Sequence, residues 1–169
     1  RAATVFTDIL GDSGQQLTLN SSSVRAASVP CVSAYPSANL LDVTGDGTAY
    51  TVAFDTEIFD QGANFAANTF TAPVTGRYLL GFTTRIVGLT SSHTSGSIVI
   101  VTSNRSYTAW KGNPWAVSQA GDMVVGNFFI ADMDAADTAT ILITISSGTK
   151  VVDIAGGDLN TVFTVGMIA

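Results

Sequence analysis

An all-β sandwich of about ten short antiparallel strands is the fold class this sequence predicts, and three observations carry it. Segments alternating between apolar and polar residues recur along the chain, turn-forming residues separate them, and helical periodicity is nearly absent. A period of two puts alternate side chains on opposite faces of a sheet, so each such segment offers one face to a core.

Taken in order, residues 1–30 differ from the rest. A short apolar patch (Val5, Phe6, Ile9, Leu10) is followed by Gly11, Asp12, Ser13, Gly14, Gln15 and Gln16, and later by Ser21, Ser22 and Ser23. That composition suits an extended neck or linker with one strand and cannot build a core. Residues 31–169 are expected to form the jelly-roll domain. Thr48–Thr56, Arg77–Leu89, Gly96–Asn104, Met123–Met133, Thr138–Ser146 and Thr161–Ile168 read as strands. Tyr78, Leu80, Phe82 and Ile86 share one face, as do Ala139, Ile141, Ile143 and Ile145. Turn signals fall between: Gly45-Asp46-Gly47, Asp60-Gln61-Gly62, Pro73 to Gly76, Gly112-Asn113-Pro114, Gly148 and Gly156-Gly157-Asp158. Short strands at this spacing build a sandwich or barrel.

At 169 residues the chain is one domain's worth, long enough to bury a core without disulfides or metal. Charged residues make up 12%, against roughly 25% in ordinary domains, too few to coat the whole surface. Part of the weakly polar exterior is therefore expected to be covered by copies of the chain or by a partner. The net charge is −6 and the seven basic residues are scattered, which argues against nucleic acid as a partner. No apolar run approaches the roughly 20 residues needed to cross a bilayer, so no membrane insertion is expected. Cys31 stands alone and is expected to be a buried thiol at the start of a strand.

Three strands are apolar on both faces. Met123-Val124-Val125 and Phe128-Phe129-Ile130 leave a second apolar face needing cover, as do Leu79-Leu80 and Val99-Ile100-Val101. The outer faces of a lone two-layer sandwich should be polar. Packing of outer faces around a symmetry axis meets the need, which predicts a closed homo-oligomer.

The stretch Val52-Ala53-Phe54-Asp55-Thr56, then Asn64-Phe65, then Phe70-Thr71-Ala72-Pro73-Val74-Thr75-Gly76-Arg77-Tyr78-Leu79-Leu80-Gly81-Phe82 resembles the signature of the complement 1q globular-head family. That family shares its jelly-roll with the tumour necrosis factor superfamily. Phe70 and Tyr78 are expected core aromatics on successive strands, and Pro73 and Gly76 bracket the tight connection between them. Val32-Ser33-Ala34-Tyr35 resembles the family's opening strand. Ala135-Ala136-Asp137-Thr138 resembles a family Gly-Asp turn, with Ala136 in the glycine's place. The closing strand, around Phe163, has Val165 where glycine and Gly166 where an aromatic is expected, a departure that touches local packing or register. The resemblance implies a homotrimer. The wording of Val43-Thr44-Gly45-Asp46-Gly47-Thr48 and of Phe54-Asp55-Thr56-Glu57-Ile58-Phe59-Asp60 resembles versions carried by bacteriophage tail and head fibre proteins. It implies a virion location; a secreted module is the alternative.

For chemistry, His93 lies in a polar stretch without the Gly-x-Ser-x-Gly pattern, and is expected to be a surface-loop histidine. One histidine and one cysteine cannot build a zinc site from those ligands. Asp132, Asp134 and Asp137 are candidate calcium ligands, as oxygen-rich loops suit that ion, although a solvated acidic turn is the preferred reading and no cofactor is otherwise expected. Asp42 and Asp46, flanking a glycine turn, raise the same question. Asn104 to Trp115 reads as a loop-like segment holding both tryptophans, a tyrosine and two cations. Arg105, Tyr107, Trp110, Lys111 and Trp115 are therefore candidates for stacking on and hydrogen bonding to a sugar, or for anchoring a protein. Against this, a tryptophan is usually well buried, so Trp110 or Trp115 is as readily a plug for the sandwich end, leaving Arg105, Tyr107 and Lys111 as the exposed members. The expected function is non-enzymatic: a trimeric fibre, spike or tail head that contacts a host-surface glycan or protein and joins other virion proteins through residues 1–30. A purely structural capsid decoration or trimerising cap is the alternative. An enzyme acting on surface polysaccharide lacks the paired carboxylates such chemistry needs.

Overall fold

A computed structural model describes residues 29–168, and the proposed neck falls almost wholly outside them. Among the described residues, thirteen strands form two antiparallel sheets stacked face to face, accompanied by one short helix, the jelly-roll expected. The first sheet is built around the longest strand, β7 (Gly76–Val87). Along one side of β7 runs β10 (Met123–Met133), paired over its whole length from Met123 opposite Ile86 to Met133 opposite Gly76. Along the other side lie β13 (Val162–Met167) and then β12 (Val152–Ile154). The sheet continues from β13 through β1 (Cys31–Tyr35) to β4 (Thr56–Gln61), and from β12 to β2 (Leu40–Thr44).

In the second sheet, β11 (Thr138–Ser146) pairs on one side with β8 (Ser95–Thr102), which pairs in turn with the edge strand β9 (Ser106–Gly112). On its other side β11 meets β6 (Thr69–Thr71) and β3 (Ala49–Thr51), and β5 (Phe65–Ala66) closes that edge. The helix α1 (Pro114–Val117) is one turn, capped by the Asn113 side chain.

The core lies where the alternation put it. Tyr78, Leu80, Phe82 and Ile86 face inward from β7, and Ala139, Ile141, Ile143 and Ile145 face them from β11. Phe54, Phe65 and Phe163 form one aromatic cluster, their ring centroids 5.7 to 6.4 Å apart, and Phe70 packs 5.5 Å from Tyr78. Phe70 and Tyr78 belong to opposite sheets, so the connection through Pro73 and Gly76 arches across the sandwich and is not a hairpin. The Tyr78 hydroxyl donates to Val74 O at 2.7 Å, which ties the arch to the core it spans.

The expected strand Thr48–Thr56 divides. Ala49–Thr51 pairs in the second sheet, Thr56–Gln61 in the first, and the chain crosses between them with Val52 and Phe54 buried. Phe54 is therefore a core residue of a crossover, its N–H held by Asn68 Oδ1 at 2.9 Å. The closing strand keeps its register: Val165 packs inward opposite Leu80, and Gly166 sits on the outer face opposite Leu79 and Cys31. Cys31 does begin β1, but it is half-buried on that outer face and not in the core. No described helix is long and apolar enough to cross a membrane.

Candidate functional site

The outer face of the first sheet is where apolar residues remain uncovered. On β10 the side chains of Val124, Phe128 and Ile130 point away from the core and are 64%, 68% and 58% exposed. Leu79 on β7 and Phe59 on β4 join them. Cross-strand registers align one row across five strands: Phe128, Gly81, Thr164, Ser33 and Phe59. Two exposed phenylalanines thus stand about 19 Å apart, four strand spacings, with small residues between them. Gly81, Thr83, Gly126, Val162 and Thr164, with Phe128 as one wall, line a groove of about 430 Å³ in this face.

Two of the three glycines on this face, Gly81 and Gly166, are not required by the chain's own packing, whereas a Cβ at Gly126 would fall 3.2 Å from Phe82 O. Neither Gly81 nor Gly166 has the positive φ that favours glycine, and both sit within strands, where glycine weakens pairing. A Cβ at Gly81 would meet its nearest atom, Phe128 Cβ, at an ordinary 3.7 Å, and one at Gly166 would meet nothing within 4 Å. Glycine within a strand often marks a place where a ligand or another backbone approaches closely.

Open edges of the two sheets, β9 and β10, lie side by side. A register shift between Ile98 and Val99 leaves Ala109 as the extra residue of a β-bulge. Without it, Tyr107 and Trp110 would point to opposite faces; with it, Tyr107 pairs with Ile100 and Trp110 with Ile98, both turned inward. Tyr107 stacks at 5.2 Å on Phe129 of β10, and the Asn127 side chain donates to Ala109 O at 3.0 Å. The loop expected from Asn104 to Trp115 is therefore mostly a strand that seals this edge.

The five proposed binding residues do not form one patch. Arg105 is exposed at one end of β9, in a turn whose backbone bonds with Thr102. Tyr107 and Trp110 are half-buried against the core, so Tyr107 is not the exposed residue expected. Lys111 and Trp115 are exposed at the far end, about 20 Å from Arg105 along the strand.

Asp137 is committed to its turn. One oxygen accepts from Ser103 Oγ at 2.7 Å, and the other accepts from Asp134 N–H at 2.7 Å and from the Asn104 amide. These donors, Ser103 first, hold its carboxyl below the usual carboxylate range. Asp134 meets Thr75, and Asp132 lies on β10 opposite Arg77, so the three carboxylates do not converge. Among the described residues, no group of three His, Cys, Asp or Glu is placed to hold a metal.

His93, expected at the surface, is fully buried. Thr90 N–H donates to Nδ1 at 2.9 Å, which makes that nitrogen an acceptor and leaves Nε2–H to donate to Thr149 O at 3.0 Å. Gly148 lies so close that a Cβ there would be 2.4 Å from Nε2. This histidine pins three loops together and has no route to a substrate.

A polar rim at one end of the outer face escaped the sequence reading. Arg85 Nε lies 3.1 Å from both oxygens of Asp122, and its Nη2 lies 2.6 Å from Oδ2. This fork raises the arginine's pKa and lowers the carboxylate's, each chiefly through the hydrogen bond to the other. Asn160 Oδ1 lies 3.4 Å from Nη1. Period two turns Arg85 outward, but only the register of β7 against β10, which sets Val124 opposite Arg85, brings Asp122 to it.

No family model and no curated protein matches this sequence. Solved structures do match in shape. The globular domain of zebrafish complement 1qA protein aligns over 83% of this chain and 98% of its own, with a TM-score of 0.56 and 16% identity. Murine APRIL aligns over 83% and 99%, with a TM-score of 0.57 and 12% identity. The chain has the complement 1q and tumour necrosis factor type of jelly-roll fold. At these identities the likeness concerns fold alone.

Proposed function

We propose that this chain is a non-enzymatic recognition module that works as a homotrimer packed through the outer face of its first sheet. The observation that carries the reading is the uncovered apolar face of Phe128, Ile130, Leu79 and Phe59, in a chain with only 12% charged residues. Such a face, met by a different surface of a neighbouring copy, builds a ring when the rotation closes. The strand glycines Gly81 and Gly166 support close approach there. The non-enzymatic part is supported by the sealed position of His93 and by the turn-bound carboxylate of Asp137. Three copies held in register raise avidity from weak single contacts.

The finer reading is the head of a virion fibre, spike or tail, facing a host surface. It rests on the resemblance of Val43 to Thr48 and Phe54 to Asp60 to bacteriophage fibre proteins, and on the linker-like composition of residues 1–30. Light scattering on the purified chain tests the assembly. The expected mass is three times the 17.4 kDa chain, and a stable monomer at micromolar concentration contradicts the reading.

A further inference from the structure

Where β10 begins, the outer face ends in two adjoining clefts. One, of about 680 Å³, is lined by Arg85, Gln119, Ala120, Asp122, Val124 and Asn160, with Met123 beneath. The other, of about 400 Å³, shares Gln119, Asp122, Met123 and Val124 and adds Trp110 and Val117. A tight hairpin stands between them. Gln119 N–H donates to Asp122 O at 2.8 Å and Asp122 N–H to Gln119 O at 3.1 Å, with Ala120 and Gly121 at φ +52° and +85°. A Cβ at Gly121 would fall 2.4 Å from Leu89 O and the Leu89 N–H donates to Gly121 O at 3.1 Å, so the hairpin is pressed against the body.

We propose that this paired cleft binds a neutral saccharide. Charge is balanced in the site: Arg85 and Asp122 cancel each other, and no other charged residue lines either cleft. An anion would meet Asp122 and a cation Arg85. A hydroxyl-rich neutral ligand meets no such repulsion, because each hydroxyl both donates and accepts. The pair remains open to a ligand, with side chains 41% and 38% exposed. Asp122 has lone pairs beyond those used by Arg85, and Arg85 Nη1 has only a long contact to Asn160. Asn160 is fixed by donating to Gly156 O at 2.7 Å, so its Oδ1 is already aimed at the cleft. Val124, Val117 and the half-buried Trp110 supply the apolar surface on which the C–H face of a pyranose packs. The volume suits a disaccharide or longer chain.

The proposal rests on the reading of the chain as a recognition module and names its ligand class. Saturation-transfer NMR on the intact protein tests it, using maltose, lactose and mannobiose as neutral probes and sialyllactose as an anionic one. We expect millimolar binding of at least one neutral disaccharide, weakened about tenfold by Asp122→Ala, the loss of one charge-assisted hydrogen bond. Arg85→Gln should act likewise, and Arg105→Ala, at the opposite end of β9, should not. Binding of none of the neutral probes, preference for sialyllactose, or equal binding by Asp122→Ala in a protein with unchanged amide spectrum would overturn it. Light scattering on the same samples separates the two readings. A trimer that binds no sugar sinks the cleft alone, and a monomer that binds it sinks the assembly alone.

Discussion

Phe128 stands directly opposite Gly81 in the β10–β7 register, 68% exposed beside a position that has no side chain. The ring gains little cover from its own chain. Replacing Gly81 with Thr should leave the isolated fold intact, since a Cβ there meets only ordinary contacts and threonine suits a strand better than glycine. The same change fills the groove and should weaken self-association at least about tenfold, the effect of a few buried atoms lost or misfitted at an interface. Circular dichroism and sedimentation velocity read the two effects; unchanged association would show the groove to be unused.

His93→Ala should be costly although the residue does no chemistry. It removes a fully buried ring and its hydrogen bonds to Thr90 N, Thr90 Oγ1 and Thr149 O. The expected loss is about 2–4 kcal/mol by urea denaturation, from cavity and unpaired groups together. A loss below about 0.5 kcal/mol, usual for surface sites, would contradict the buried position.

Ala136 occupies a backbone conformation that disfavours it, with φ at +75°. Its N–H donates to Ala72 O at 2.8 Å, so the turn is held despite the strain. Ala136→Gly should range from neutral to about 1 kcal/mol stabilising, because relief of strain is partly offset by a more flexible unfolded chain. A clear destabilisation in thermal melts would show that the residue is not left-handed.

Acid should unfold the domain through its turn carboxylates. Asp55, held chiefly by the Ser37 side chain, Asp122 by Arg85 and Asp137 by Ser103 all titrate below the usual range. A depressed folded pKa contributes stability that is present above the ordinary value near 4 and is lost as pH falls through the folded one. The melting temperature should therefore drop below about pH 4, less steeply in Asp137→Asn. A melting temperature that holds level down to pH 2 would contradict these hydrogen bonds.

Legibility in the sequence followed locality. Thr138–Ser146 was readable to the residue because uninterrupted alternation reports directly on a sheet with one buried face. Thr48–Thr56 misled because Val52 and Phe54 are buried where the chain leaves β3 and crosses to the other sheet, so burial continues past the end of the strand. Tyr107 and Trp110 carry no local sign that a bulge at Ala109 will turn both inward. His93 is hidden beneath Gly148 and Thr149, more than 50 residues away, and polar neighbours in sequence say nothing of that. Arg85 and Asp122 become a pair only through strand register, which period two leaves open by any even number of residues.

Sedimentation velocity of Phe128→Asp beside the unaltered chain tests the central claim most directly. A buried, unpaired carboxylate is strongly disfavoured at an interface and harmless on a solvated face. The unaltered chain should sediment as a trimer and the variant as a monomer with unchanged circular dichroism. A variant that remains trimeric would show that the outer face of the first sheet does not hold the copies together.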